Sequence, residues 1–433
     1  MRHCLLSFAG LAVLQASVVQ GLPWSLRSLF ERQNSDQGTD VTDLTFIKKW
    51  AAIGDSYAAG IGAGSKLSDS GSCGRYDNSY PMMLQRYDQM PNPAPKMEFL
   101  ACSGATTPEV LSKQVSKLGT GYDLITLSTG GNDVGLVSIL NQCIYQWNSD
   151  NGNGGCEKQL TESERLIKDV LPGNFDKITA ELKHKVGSDR RIYWTGYANF
   201  FDDSTTDCDK VSWAFWFNLE RKQHLTKARR KRMNDLVNAV NDQIKAAAAR
   251  GGDQFVFVDY NQYFIQTQGR FCEGSTKEPD GDRDGLLFFE WDTKNGPTTL
   301  TRRGGIPGFD DVLPGDFIGI DKRQGKSTPS EDSSGLREQV FGLVEAGKAA
   351  NTSLLVSLPD NSAADPAFRG RKTLSISDLI FDTILRVFHP QPAGHAIITS
   401  LLVWHISDQQ AKSLKVTWGP EKGGDGSLAC ARS

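Results

Sequence analysis

The chain has 433 residues, carries a formal net charge of −3, and is 39% hydrophobic. That length can bury a sizeable core in one large domain or in two to three smaller ones. The near-neutral charge gives no basis for binding nucleic acid or an anionic membrane, and neither is expected as a partner.

In chain order, residues 1–21 read as a secretory signal peptide. Arg2 and His3 precede an apolar run from Cys4 to Leu14, and small and polar residues lead to Gly21, the expected cleavage point. The run is too short to cross a membrane, and no later stretch approaches the ~20 apolar residues of a transmembrane helix. A secreted, extracellular protein is the expectation. Residues 22–44 read as a flexible leader, 45–415 as the folded domain, and the Gly-rich 416–433 as a flexible tail.

The stretch KWAAIGDSYAAGIGAG at 49–64 has an apolar run, Trp50 to Ile53, that ends in Gly54-Asp55-Ser56. Such a run bounded by Gly reads as a buried strand. Ser56 then stands at a strand's C-terminal end, where open α/β sheets place their sites. Pro81 to Tyr87 suits a short helix with Pro in its first turn. Met97 to Ala101 is a second strand, running into Cys102-Ser103-Gly104. Asp123 to Ser128 is a third, ending in Thr129-Gly130-Gly131-Asn132-Asp133. Strands that each end in a Gly-bearing loop, separated by helix-length spacers, predict a parallel α/β sheet.

Residues 145–160 read as a polar loop bracketed by Cys143 and Cys156, and Leu160 to Val186 as helix broken at Pro172-Gly173. The aromatic run Arg191 to Phe201 predicts a fourth strand. Thr226 to Arg250 is the clearest helix: Met233, Leu236, Val237, Val240, Ile244 and Ala247 share one face. Its basic run, Lys227 to Arg232, reads as a solvated outer face. Gln254 to Tyr260 is a further strand. Residues 270–372, rich in Gly, Asp, Pro, Ser and Lys, read as a long insertion, partly ordered around Phe288, Phe289 and Trp291. Asp280, Asp282, Asp284 and Gly285 mimic the start of a calcium loop, but position twelve is Trp291 rather than Glu, which favours a solvated acidic turn. Ala393 to Ile406 closes the core as an apolar helix.

Eight cysteines less Cys4 in the signal leave seven. They show no CxxC spacing or His clustering, so neither metal nor cofactor is expected. In an oxidising compartment they are expected as disulfides. Sequence order favours Cys73–Cys102, Cys143–Cys156 and Cys208–Cys272, with Cys430 left over; other pairings stay open. Asn351-Thr352-Ser353 is a glycosylation sequon.

A serine nucleophile needs a general base. Among the six histidines, His389 stands where a loop meets a helix, with Pro390 stiffening the turn, which suits a rigidly presented base. Acyl transfer also needs donors aimed at the oxyanion. The Ser56 N–H, the N–H of Gly104 and the amide of Asn132 are the right types.

The four blocks GDSYAAG, CSGAT, GGND and HPxxxGH, in this order, resemble those of the SGNH, or GDSL-type, hydrolase family. The resemblance is strong over roughly 48–145 and moderate over 373–405, with no counterpart for 270–372. It implies a flavodoxin-like three-layer α/β/α fold with a parallel central sheet, and a secreted esterase or lipase-like enzyme. It also implies Ser56 as nucleophile, Gly104 and Asn132 as oxyanion donors and His389 as base. Tyr80-Pro81 and the Cys73/Cys102 pair resemble the secreted, disulfide-bearing branch. The family pattern D-x-x-H places Asp three residues before the base, and here that residue is Arg386. Some members of that branch use a main-chain carbonyl there, so a Ser56–His389 dyad oriented by a carbonyl near Arg386 is expected, with Asp382 as the rival third member. Asp55 and Asp133 read as structural. The expected substrate is a lipid, polymer-linked or acetylated-sugar ester, met by a monomer. A polysaccharide deacetylase and a non-catalytic binding protein on the same scaffold are the alternatives.

Overall fold

The computed structural model describes residues 40–146, 155–214, 222–274, 276–290, 293 and 386–416. The signal segment, most of the leader, Trp291, most of the 270–372 stretch with Asn351, Asp382, and the tail with Cys430 lie outside the described residues.

Five strands pair in parallel: β1 (Trp50–Gly54), β2 (Glu98–Phe99), β3 (Tyr122–Ser128), β4 (Val186–Thr195) and β5 (Phe255–Val258). Their order is β2-β1-β3-β4-β5, the flavodoxin-like order that the family resemblance implies. Every residue of β1 and all of β3 except Asp123 are buried, so both faces of the sheet must be covered.

Two groups of helices cover them. One is α3 (Gly155–Asp169), α4 (Leu171–Lys183) and α5 (Lys227–Gly251), which pack together. The other pairs α2 (Tyr80–Gln85) with α6 (Pro392–Leu414). Trp194 and Thr195 follow one another in β4, so their side chains leave opposite faces. Phe175 of α4 meets Trp194 edge-on, ring centroids 4.7 Å apart. Tyr80 of α2 instead approaches Thr195 and Thr126. The two groups therefore lie on opposite faces, and the fold is a three-layer α/β/α sandwich. No helix among the described residues is long and apolar enough to cross a membrane.

The structure moves several boundaries. The break between α3 and α4 falls at Val170, before Pro172, because Pro is tolerated in a helix's first turn and has no N–H to lose there. Helix α3 begins at Gly155, inside the expected loop. Strand β4 starts at Val186, earlier than expected, and its ladder stops at Thr195. Beyond it, two asparagines of α5 replace the missing neighbour strand. Asn241 accepts from Tyr197 N–H and donates to Tyr197 C=O, both at 2.8 Å. Asn234 does the same for Phe201, at 3.3 and 2.8 Å. They stand two turns apart on one helix face.

The basic run of α5 is not simply a solvated face. Arg230 is fully buried and donates to the carbonyls of Leu225, Asp202 and Thr205. Arg232 pairs with Glu157 and Glu164 of α3. The start of the 270–372 stretch, expected to be partly ordered around Phe288 and Phe289, packs against the rest of the domain. Phe271, Leu286, Leu287, Phe288 and Phe289 are all buried, and Phe288 bridges Pro390. These side chains therefore join the core, while Asp280, Asp282 and Asp284 of the acidic turn between them are exposed. The three disulfides Cys73–Cys102, Cys143–Cys156 and Cys208–Cys272 are formed.

Candidate active site

Strands β1 and β3 flank the point where the strand order reverses, the usual place for a site in such sheets. The end of β1 leads directly into α1 (Ser56–Ala59). Asp55 caps α1, accepting from the Tyr57 N–H at 3.0 Å, and Gly60 ends it in the left-handed region. Gly54 makes the close approach possible. Its φ is 131°, and a Cβ there would stand 2.1 Å from the Ser128 carbonyl oxygen at the end of β3.

The loops after β1, β2 and β3 are tied together. Cys102 N–H donates to Gly54 C=O at 2.9 Å. Asp55 N–H donates to Ser128 C=O at 2.9 Å. Asp133 accepts from the Thr107 N–H at 2.8 Å and from Asn174 Nδ2 at 3.0 Å, which is the structural part expected of it. Gly104 holds φ 82°, where a side chain would be strained. Asn132 Nδ2 donates to Ala105 C=O at 3.1 Å. That bond fixes which end of the amide is nitrogen and leaves its second N–H to donate elsewhere. Among the described residues, no acceptor pairs with the N–H of Ser56 or of Gly104.

Ser56 Oγ lies 2.7 Å from His389 Nε2, and both residues are buried. On the other side of the ring, His389 Nδ1 lies 3.2 Å from Arg386 C=O and 3.1 Å from Val387 C=O. Carbonyls only accept, so Nδ1 must carry the proton, and Nε2 presents its lone pair to the serine O–H. The imidazole is therefore in the tautomer that can accept a proton at Nε2, fixed by main-chain carbonyls at Nδ1. Burial pushes the His389 pKa down to about 4, with the Val387 and Arg386 carbonyls opposing the shift. The imidazole is thus neutral at ordinary pH.

Residues 287–289 hold this loop. Phe289 N–H donates to His389 C=O at 2.9 Å, Phe388 N–H to Phe289 C=O at 3.0 Å, and Gln391 N–H to Leu287 C=O at 2.7 Å. The Arg386 guanidinium, where a carboxylate was the family pattern, lies over the Phe289 ring at 4.6 Å. His395 is fully buried, its Nδ1 accepting from Tyr80 N–H at 3.3 Å, so it is a core histidine.

Two tyrosines escaped sequence reasoning. Tyr197 donates from its hydroxyl to Asp55 Oδ2 at 2.5 Å and accepts from Gly131 N–H at 3.1 Å. Ser128 Oγ adds a bond to Asp55 Oδ1 at 3.0 Å. Burial raises the Asp55 pKa to about 6, and the bonds from Tyr197, Tyr57 and Ser128 pull it back. Tyr57 donates from its hydroxyl to Phe388 C=O at 2.7 Å. Neither role has a sequence signal beyond the aromatic run that carries Tyr197.

An apolar pocket lies beside this site. Its wall includes Tyr57, Gly131 and Phe388, the chain neighbours of Ser56, Asn132 and His389. Met233, Leu236, Val237 and Val240 of α5 complete an apolar lining. Among the described residues, no group of three or more His, Cys, Asp or Glu is placed to hold a metal ion.

Comparison with known proteins bears on this arrangement. The sequence profile of the GDSL-like Lipase/Acylhydrolase family matches residues 52–285. A lipase of Streptomyces rimosus is 30% identical over 228 residues, 52% of this chain and 74% of that protein. Lipase 1 of Streptomyces coelicolor is 30% identical over 226 residues, with the same coverage of 52% and 74%. Among solved structures, an extracellular lipase from Streptomyces rimosus is 27% identical with a TM-score of 0.42, covering 54% of this chain and 89% of that one.

Proposed function

The chain belongs to the GDSL-like lipase/acylhydrolase family and is a carboxylic ester hydrolase, and from that premise we propose that it works through an acyl-Ser56 intermediate with His389 as the base. The observation that carries the proposal is the 2.7 Å contact between Ser56 Oγ and an imidazole whose Nδ1 is committed to two carbonyls.

Ser56 Oγ attacks the ester carbonyl carbon while His389 Nε2 takes its proton. The oxyanion that forms meets the N–H of Ser56, the N–H of Gly104 and the free N–H of Asn132. As the C–O bond to the alcohol breaks, His389 Nε2 returns the proton to the leaving oxygen. Water then attacks the acyl carbon, giving a proton to Nε2, and collapse of the second tetrahedral species returns that proton to Ser56 Oγ and frees the acid. Throughout, the Arg386 and Val387 carbonyls take the orienting part that a carboxylate has in a triad.

The apolar cavity supports an acyl chain rather than an acetyl group as the bound acid part. Burying each added methylene contributes about 0.8 kcal/mol, or roughly fourfold in kcat/KM. Chromogenic esters from acetyl to dodecanoyl, run beside acetylated xylan, test this. Rising kcat/KM through the medium chain lengths is expected. A maximum at acetyl, with acetylated polysaccharide preferred, would make the protein a carbohydrate deacetylase instead. Arg386 in place of a carboxylate raised the alternative of a non-catalytic binder, but carbonyls meet His389 Nδ1 at that place. Three disulfides support a secreted protein.

A further inference from the structure

We propose that Tyr57 is a positioning residue for the base: its hydroxyl holds the left-handed turn at Phe388, and that turn points the two carbonyls at His389 Nδ1. The inference rests on the reading of His389 as base.

The turn runs from Arg386 to His389, closed by the His389 N–H donating to Arg386 C=O at 2.9 Å. Phe388 occupies its third position with φ 65°, where a turn of this kind favours Gly or Asn. A bulky residue stays there only if its surroundings over-determine the conformation. Phe388 meets that condition on two sides. Its ring is boxed by Phe200 and Phe271, with centroids 4.9 and 5.0 Å away. Its carbonyl accepts the Tyr57 hydroxyl at 2.7 Å. Rotation of the turn out of the left-handed region would break that bond and swing the Arg386 and Val387 carbonyls off the imidazole.

Tyr57 is itself fixed from the serine's side. It follows Ser56 in α1, its N–H donates to Asp55, and its ring packs edge-on against Tyr197 at 5.0 Å. It also lies 5.2 Å from the His389 ring. One side chain thus sets the distance between the nucleophile's helix and the base's loop. In a triad, a carboxylate bonded directly to Nδ1 sets the ring orientation. Here the acceptors are main-chain atoms, so orientation depends on what holds the main chain. Among the described residues, the titratable groups around His389 are Tyr57, His395 and, behind Ser56, Asp55; the Arg386 guanidinium is turned onto Phe289.

The test is Tyr57→Phe, which removes only the hydroxyl, assayed beside His389→Ala and wild type. Expected are a fall in kcat of about tenfold with KM changed less than twofold, and an acid limb of kcat/KM moved to lower pH, since carbonyls that raise the His389 pKa are lost. A second pair needs no hydroxyl: Phe388→Gly and Phe388→Ala lose the same ring, but only Gly takes φ 65° freely, so Gly should retain severalfold more kcat. Tyr57→Phe with wild-type kcat and an unmoved acid limb, or equal kcat for the two Phe388 variants, overturns the proposal. A His389→Ala variant as active as wild type would instead overturn the underlying reading of the base.

Discussion

Acidification is the perturbation that separates a buried, carbonyl-held base from an ordinary histidine. The base must be neutral to accept the serine proton. With the His389 pKa lowered from 6.5 to about 4, roughly 90% of the enzyme is active at pH 5, against about 3% for an unperturbed imidazole. The difference is roughly 30-fold in kcat/KM at that pH. Asp55, raised from 3.8 to about 6, titrates in the same range, so the profile is best measured in Asp55→Asn as well as wild type, with an uncharged ester. The Asp55→Asn profile should stay flat from pH 8 to about 5 and fall tenfold per pH step only below about 4. An acid limb centred at 6 or above in that variant would show that His389 titrates as an ordinary imidazole and is not a buried, carbonyl-held base. Stability must be followed in parallel. His389 and His395, whose pKa is pushed down to about 3 by burial, bind fewer protons folded than unfolded, so stability falls as pH falls below 6.5. Asp55 acts in the opposite sense, adding stability as pH falls from about 6 towards 3.8.

Replacing Asn132 by Ala removes one oxyanion donor and should lower kcat about 10²- to 10³-fold with little change in KM, measured by steady-state kinetics. Asp382→Asn should leave kcat/KM within a few-fold of wild type, because Nδ1 of His389 already faces two carbonyls; a loss of about 10⁴-fold would establish a triad. Gly54→Ala should lower the thermal midpoint markedly, because its Cβ would meet the Ser128 carbonyl at 2.1 Å.

What could be read from the sequence was whatever short-range chemistry marks. Small residues after short apolar runs marked the ends of β1 and β3 and the loop that follows β2, the segments that carry Ser56, Asn132 and Gly104; β2 itself is shorter than the expected Met97–Ala101. Pro390 and the block around it located His389. The resemblance to a known family supplied the carbonyl near Arg386. The rest depended on tertiary contacts that carry no local pattern. The charged start of β4, Gly187 to Arg190, looks like a loop because that end of the strand is partly exposed. Phe288 and Phe289 sit between an acidic turn and a polar stretch without periodicity, yet pair with the His389 loop. Arg230 looks like one more surface cation until three carbonyls are found around it. Tyr57 was legible only as a motif letter, since its partner Phe388 is 331 positions away.

In the proposed mechanism Ser56 carries the acyl group between the two half-reactions. Rapid acid quenching of a turnover with a medium-chain chromogenic ester, followed by peptide mass spectrometry, tests it directly. Acyl is expected on the Ser56 peptide of wild type, and neither acyl nor a product burst in Ser56→Ala. Acyl found on another residue, or turnover by Ser56→Ala at the wild-type rate, would contradict it.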